Sequence, residues 1–329
     1  EPVGDERAEL HGLAGLDEIC GAISFTEYQY LWPERIVIDT IMKARDAGCE
    51  AMNYTPVVHI ARDGEGWRVT LATPDGPREV RTRAVVNCAG VWVDEVTALT
   101  GANGPQLNSG AKGTNIVLRL PERFRGIGLD TVTSTGMAFY LIPWGDLHYV
   151  GPWDSPSDGR RGDFRATGQE IDAILNELAL LFPDLGLTRK DVVFSWAGAR
   201  PRTARKGHPL GSMEVMEHDL TDEGMPNFFV FTGGLLMTHR DAGRRLTAAV
   251  ARRLRPSGRP APIDYSARPV PDSDRVTETS VTHAIEREQA KSLAGILRRR
   301  LSVGWEPDLG LPHAEDAARI AAPLLGWPP

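Results

Sequence analysis

The order of apolar and polar positions divides the chain into elements. Residues 32–44 carry Val37, Ile41 and Ala44 at helical spacing, with Pro33 suited to a first turn and Gly48 placed to end it, which predicts a helix. The pattern then shortens to strand length. Residues 56–60, 67–71 and 79–82 read as strands, and Asp63-Gly64 and Asp75-Gly76 stand between them as hairpin turns, so a β-meander is expected. Residues 84–90, Ala-Val-Val-Asn-Cys-Ala-Gly, suit a buried parallel strand that ends in glycine.

Farther on, residues 115–118, 138–142 and 148–150 read as strands of an antiparallel sheet. Thr167 and Glu170 form a capping-box pattern, and Ile171, Ile174, Leu175 and Leu178 give the helix that follows an apolar face. Residues 228–232 form another buried strand, followed by Gly233-Gly234 and a helix to about Leu254. Pro256, Pro260, Pro262, Pro269 and Pro271 mark residues 255–273 as a linker. From Val276 the chain is helical, with Glu286, Gln289 and Lys291 expected at the surface and Leu293, Ile296, Leu297 and Leu301 inside. No internal repeat is visible. Helix, meander, buried strand and tight turn succeed one another in an order common in doubly wound dinucleotide-binding proteins.

A chain of 329 residues can bury the cores of two domains. Forty-four acids against 37 lysines and arginines give a net charge of −7, which offers no general attraction for nucleic acid or an anionic membrane. Cys20, Cys49 and Cys88 form neither a CxxC pair nor an even framework, so a reduced, cytoplasmic setting is expected. No apolar run approaches the roughly 20 residues that span a bilayer, and any membrane contact would be peripheral, on the inner face. The chain opens on Glu1-Pro2-Val3-Gly4 without a Met, so an incomplete or processed chain is expected.

Three segments could carry chemistry. In residues 231–240, a strand meets Gly233-Gly234 and then a helix, which lets backbone approach a ligand and aims N–H groups and a partial positive charge at it. A Gly-Gly turn joining a core strand to a core helix explains the same pattern. Asn87-Cys88-Ala89-Gly90-Val91-Trp92-Val93 is a second strand ending in small residues, which suits a flat cofactor or close packing of helix on sheet. The third is the basic run 200–208, where Arg200 stands at a strand end and Pro201 stiffens the loop; arginine forks match phosphate or carboxylate, although charge runs are commonly solvated faces. Lys112 could meet a phosphate or decorate a turn, and Tyr140 and Trp144 could line a pocket or pack. The eight histidines show no metal-ligand spacing, so no metal site is expected.

Taken together, residues 85–93 (VVNCAGVWV), 112–118 (KGTNIVL), 141–144 (LIPW), 151–154 (GPWD), 195–201 (SWAGARP) and 233–240 (GGLLMTHR), with the helical tail 282–310, resemble the FAD-dependent glycerol-3-phosphate dehydrogenases of the D-amino-acid-oxidase-like flavoprotein superfamily. The resemblance implies an α/β fold with α+β elements: an incomplete doubly wound FAD-binding domain with a β-meander, an antiparallel-sheet substrate domain and a C-terminal helical domain. The corresponding division is 1–106 and 228–256 for the FAD side, 107–227 for the substrate side, 257–275 as linker and 276–329 as the helical domain. It also implies hydride transfer to flavin N5 from the secondary alcohol of sn-glycerol 3-phosphate, or a related phosphorylated polyol or 2-hydroxy compound, giving the ketone (dihydroxyacetone phosphate). Quinone or oxygen would accept the electrons, and a homodimer is compatible with it. Carried over by motif, Arg200 is the active-site arginine, with Arg202, Arg240, Lys112 and Tyr140 around the substrate. Ala89, Gly90, Trp92, Gly233, Gly234, Leu235, Leu236, Met237 and Thr238 would lie along the flavin, and Val58 on the adenine side.

The sequence departs from the family at telling places. Leu235, Met237 and His239 replace the lysine, threonine and tyrosine of the usual GGKLTTYR, and Pro152 and Trp153 replace two threonines of GTTD. An amine or amino-acid oxidase of the same superfamily is therefore an alternative. The family opens with a strand–GxGxxG–helix unit for the pyrophosphate, and no such unit occurs here. The resemblance thus implies an absent lobe of roughly 150 residues, weak or no FAD binding by this chain alone, and a further alternative in which it is a non-catalytic or partner-dependent subunit.

Overall fold

Helix α1 (Pro33–Asp46) starts with proline in its first turn, as the sequence predicts, but it buries a different face. Ile38 and Met42 are inside, whereas Val37 and Ile41 are 47% and 40% exposed. The rotation is set by Arg35, which lies on the face of Ile38 and Met42 and donates to both carboxylate oxygens of the buried Glu288, at 2.9 and 2.7 Å. The structure, a computed structural model, describes residues 12–14, 23–30, 32–156, 164–258, 262 and 264–328. Cys20 and Pro260 lie outside these residues. Packing gathers the chain into two units. One contains Pro56–Pro256, and the other Glu27–Thr55 with Ser257–Pro329, so α1 groups with the C-terminal helices rather than with the meander.

In the larger unit, turn chemistry fixes the meander. β1 (Val57–Asp63), β2 (Gly66–Thr73) and β3 (Gly76–Thr82) pair antiparallel in sequence order, and the reversals fall at the two Asp-Gly steps. β4 (Val85–Asn87) leads through a single 3-10 turn, Gly90–Trp92, into α2 (Val93–Ala98). β4 is less enclosed than its composition suggests: Asn87 is buried, but Val86 and Cys88 are exposed, and among the described strands β4 pairs with β13 alone.

The second sheet has five strands, β5 (Ala111–Leu118), β6 (Leu129–Val132), β7 (Ala138–Trp144), β8 (Leu147–Pro156) and β9 (Val192–Arg200), all antiparallel in the order β6-β7-β8-β5-β9. One face is covered by α3 (Gly168–Leu181), whose Thr167–Glu170 capping box is fully formed. Ile174, Leu175 and Leu178 pack there against Ile116, Leu118, Phe139, Leu141 and Val150. A hairpin, β10 (Thr203–Arg205) and β11 (His208–Ser212), follows β9. β12 (Met216–Asp219) then pairs antiparallel with β13 (Phe228–Thr232), and β13 returns to lie parallel with β4 before α4 (His239–Leu254).

In the smaller unit, α5 (Glu278–Glu286), α6 (Leu293–Leu297) and α7 (Ala314–Leu325) enclose Val281, Ala284, Ile296, Leu297, Leu301 and Ala321. Gln289, expected at the surface, is half-buried, because its amide donates to Ala51 O at 3.1 Å and anchors the stretch after α1. The described residues among 255–273 form neither helix nor strand.

Candidate functional site

Because β4 and β13 are parallel neighbours, with Asn87 opposite Val230, their small-residue turns leave the same end of the sheet side by side. Crevices at the carboxyl ends of parallel strands are the usual ligand sites of such sheets. Asn87 shapes the first turn from within. Its amide nitrogen donates to Val93 O at 2.8 Å and Thr97 Oγ1 at 3.1 Å, and its oxygen accepts from Ala89 N at 3.1 Å.

The second turn admits only glycine at its start. Gly233 has φ +70°, and a Cβ there would fall 1.9 Å from Glu214 O. Gly234, at φ +79°, donates its N–H to Met213 O at 2.9 Å. The single turn Leu236–Thr238 then enters α4, with the Thr238 hydroxyl accepting from Leu235 N and donating to Leu235 O. The 16-residue α4 starts just after this turn, with the positive end of its dipole at the same end of the sheet. Around the larger unit, Val58, Trp92, Leu235 and Met237 expose large apolar surfaces, up to 61% at Met237. All four are positions that the family resemblance implies for the cofactor.

The five-stranded sheet approaches the same place, since β9 packs against the Gly90–Trp92 turn. Thr203 lies three residues after Arg200. Its hydroxyl meets Thr232 Oγ1 at 2.8 Å and donates to Glu214 O at 3.1 Å, while Asn108 Nδ2 donates to Val91 O at 3.1 Å. The Thr232 hydroxyl also meets His218 Nε2 at 2.8 Å; burial pushes that imidazole below its usual pKa, against the opposing pull of Asp94, Glu217 and Glu223.

Arg200 is the last residue of β9 and folds over Gly113, where an added Cβ would lie 2.3 Å from Arg200 Nε. Its side chain is 28% exposed, open to a ligand. Asp154 stands 3.1 Å from Arg200 Nε, although the two atoms are not aligned for a hydrogen bond, and accepts one from Arg202 at 2.5 Å. The sequence reading missed Asp154 and Thr203. Asp154 ends the GPWD segment, and its signal was an acid in a strand beside apolar residues with two arginines to neutralise.

Lys112 is not at this cluster. It projects to the α3 face and donates to Glu170 Oε2 at 2.8 Å. Burial pushes the Glu170 carboxyl up, but the Lys112 bond and the two from Thr167 outweigh that and hold it at about 2. Tyr140 lies on the opposite face of the sheet, edge to face with Tyr149 at 5.9 Å. Arg240 is exposed in the first turn of α4. Among the described residues no group of three or more His, Cys, Asp or Glu could hold a metal, and no helix is long and apolar enough to cross a membrane.

A family model described as FAD dependent oxidoreductase matches residues 4–254. Glycerol-3-phosphate dehydrogenase of Synechocystis is 26% identical over 273 residues, 77% of this chain and 48% of that protein. Aerobic glycerol-3-phosphate dehydrogenase of Staphylococcus saprophyticus is 27% identical over 257 residues, 76% of this chain and 45% of its own. The chain thus spans about half the length of the curated relatives it matches. Among solved structures, glycerol-3-phosphate dehydrogenase from Bacillus halodurans complexed with FAD has the same fold, with a TM-score of 0.69 at 21% identity over 90% of this chain and 69% of that one.

Proposed function

The chain belongs to the family of FAD-dependent oxidoreductases, and from that premise we propose that it carries the flavin-end and substrate-side residues of an enzyme of the glycerol-3-phosphate dehydrogenase or oxidase type. The observation that supports this most is the pair of turns at the carboxyl ends of β4 and β13, lined by exposed apolar side chains and faced by the arginine-bearing strand β9. These residues fit a flavin: Gly233 and Gly234 let backbone approach a flat ring, Trp92, Leu235 and Met237 offer apolar cover, and the head of α4 favours negative charge at the ring's edge. Val58 would serve the adenine side, and Ala89, Gly90, Leu236 and Thr238 the ring. FAD, when bound, supplies the two-electron acceptor.

In this reading residues 56–106 and 228–256 serve the flavin, 107–227 the substrate, and 276–329, together with 27–55, form the helical domain, with 257–275 as linker. Arg200 would hold the substrate's anionic group and withdraw charge from its oxygen, which eases loss of the hydroxyl proton to solvent while the hydride would pass to bound FAD. Arg202 positions Arg200 through Asp154. Lys112 is left out of the substrate site, because its charge is met by Glu170 on the other face of the sheet. The reaction is oxidation of a small anionic alcohol, glycerol 3-phosphate or a related 2-hydroxy compound. The setting is cytoplasmic, with any membrane contact peripheral.

The test uses the protein expressed from its complete reading frame. It should carry FAD, and substrate should bleach the flavin anaerobically. A folded but colourless protein that ignores added FAD refutes the proposal. Arg200→Ala should lower turnover by orders of magnitude while the flavin stays bound; unchanged turnover would reduce Arg200 to a surface charge. Leu235, in place of a lysine, favours a second reading in which the substrate is an amine or amino acid. Peroxide formed from amino acids, with no response to glycerol 3-phosphate, would select it.

A further inference from the structure

The face of the five-stranded sheet turned away from α3 is lined by rings. Tyr140 meets Tyr149 at 5.9 Å, Tyr149 lies 5.7 Å from Trp196, and Trp196 lies 5.9 Å from Phe194 and 6.0 Å from Trp144. All five rings are half-buried rather than enclosed. They form a continuous shelf from β7 across to β9.

Register ties this shelf to Arg200. The cross-strand pairs on this face run Val117 with Phe194, Asn115 with Trp196, Gly113 with Gly198, and Ala111 with Arg200. Arg200 folds back over the glycine pair, where Gly113 carries no Cβ to block it. Its guanidinium therefore stands about one pleat, roughly 7 Å, from the Trp196 position. An anionic group on Arg200 would carry its neighbouring atoms onto the rings.

Charge narrows the choice of anion. Arg200 and Arg202 share one buried carboxylate, Asp154, so these three groups together keep a single net positive charge. Lys112 adds none, being paired with Glu170 on the far face. Leu235 adds none either. One positive charge matches a carboxylate better than a phosphate monoester, which carries about −1.5 to −2 at neutral pH.

We propose that this site takes an aromatic monocarboxylate, with its carboxylate on Arg200 and its ring on Tyr149 and Trp196. The inference rests on the flavoprotein reading above and narrows its substrate to a 2-hydroxy compound with an apolar body. Phosphorylated polyols have no ring to lay on the shelf.

The test titrates the holoprotein from the complete reading frame with 3-phenyllactate, lactate and glycerol 3-phosphate, following tryptophan fluorescence and heat. Phenyllactate should bind about tenfold or more tightly than either of the others, as expected for an apolar group seated in a fitted pocket. Trp196→Leu should collapse the ratio of phenyllactate to lactate affinity toward one, and Arg200→Met should weaken both carboxylates. If Trp196→Leu fails to fold, the wild-type ratios and Tyr149→Leu decide alone. Glycerol 3-phosphate binding as tightly as phenyllactate, or a ratio untouched by the shelf variants, overturns the proposal. Flavin bleached by glycerol 3-phosphate and not by phenyllactate sinks the inference while the wider function stands. Phenyllactate bound through Trp196 by a protein that takes no FAD does the reverse.

Discussion

Replacing Glu170 by glutamine isolates one charge in the substrate-side sheet. Glutamine keeps the shape and can still serve the third position of a capping box, so the start of α3 is preserved. What disappears is the negative charge facing Lys112, in a pair whose side chains are only 13% and 10% exposed. Glu170 also accepts from Thr167 N at 2.8 Å and from Ser155 Oγ at 3.1 Å. Its carboxyl is held at about 2 against an ordinary 4.5. At about 1.4 kcal/mol per pH unit, that gap corresponds to about 3 kcal/mol of stability at pH 7.

The pH dependence has a definite sign. A carboxyl with a depressed folded pKa contributes fully above its unfolded value and loses the contribution as pH falls through 4.5 toward 2. Urea unfolding followed by tryptophan fluorescence should show Glu170→Gln about 3 kcal/mol less stable at pH 7. The deficit should shrink by about 1 kcal/mol at pH 3.5. Lys112→Met should also destabilise, since it strands a buried carboxylate, and pairing it with Glu170→Leu should recover part of the loss. A glutamine variant within about 0.5 kcal/mol of wild type at pH 7, or a deficit that does not change with pH, refutes the argument. So does a Lys112→Met protein of normal stability whose only defect is a raised KM, the signature of a substrate anchor.

Other substitutions probe the crevice and the helical unit. Gly233→Ala should cost about 2 kcal/mol or more and abolish flavin retention, because its methyl meets Glu214 O and its φ is positive; absorbance after gel filtration reads the flavin and a melting curve the stability. Asn87→Ala removes three hydrogen bonds from a buried turn and should cost about 2–4 kcal/mol, with flavin affinity falling alongside; an unchanged Tm would contradict the role given to it. Arg35→Met leaves Glu288 buried without its two strongest donors and should destabilise the helical unit by about 3–5 kcal/mol, measured as faster hydrogen exchange in α1 and α5.

The elements readable in the sequence are those fixed by neighbours along the chain. The meander followed from Asp63-Gly64 and Asp75-Gly76, and the start of α3 from Thr167 and Glu170, since turn and cap chemistry act over a few residues. The buried face of α1 was not readable. Val37 and Ile41 looked like its core face, but Arg35 turns the helix by reaching Glu288, 253 residues away. Likewise β4 has the composition of an enclosed strand, yet Val86 is exposed, since what covers a sheet face is set by residues distant in the chain.

The same distinction governs the site. Sequence shows Lys112 and Arg200 as two cations near glycines, equally able to meet an anion. Their fates are decided by which face of the sheet each side chain takes and by the acid waiting there: Glu170, 58 residues from Lys112, and Asp154, which also takes Arg202 from 48 residues away. Neighbouring residues of a strand point to opposite faces, so Lys112 meets α3 while Gly113 makes room for Arg200. A slip of one residue in β5 would bring Lys112 onto the arginine face and raise its net charge from one to two, the balance that suits a phosphate. The register of β5, rather than the number of basic residues, therefore sets which anion this face can hold.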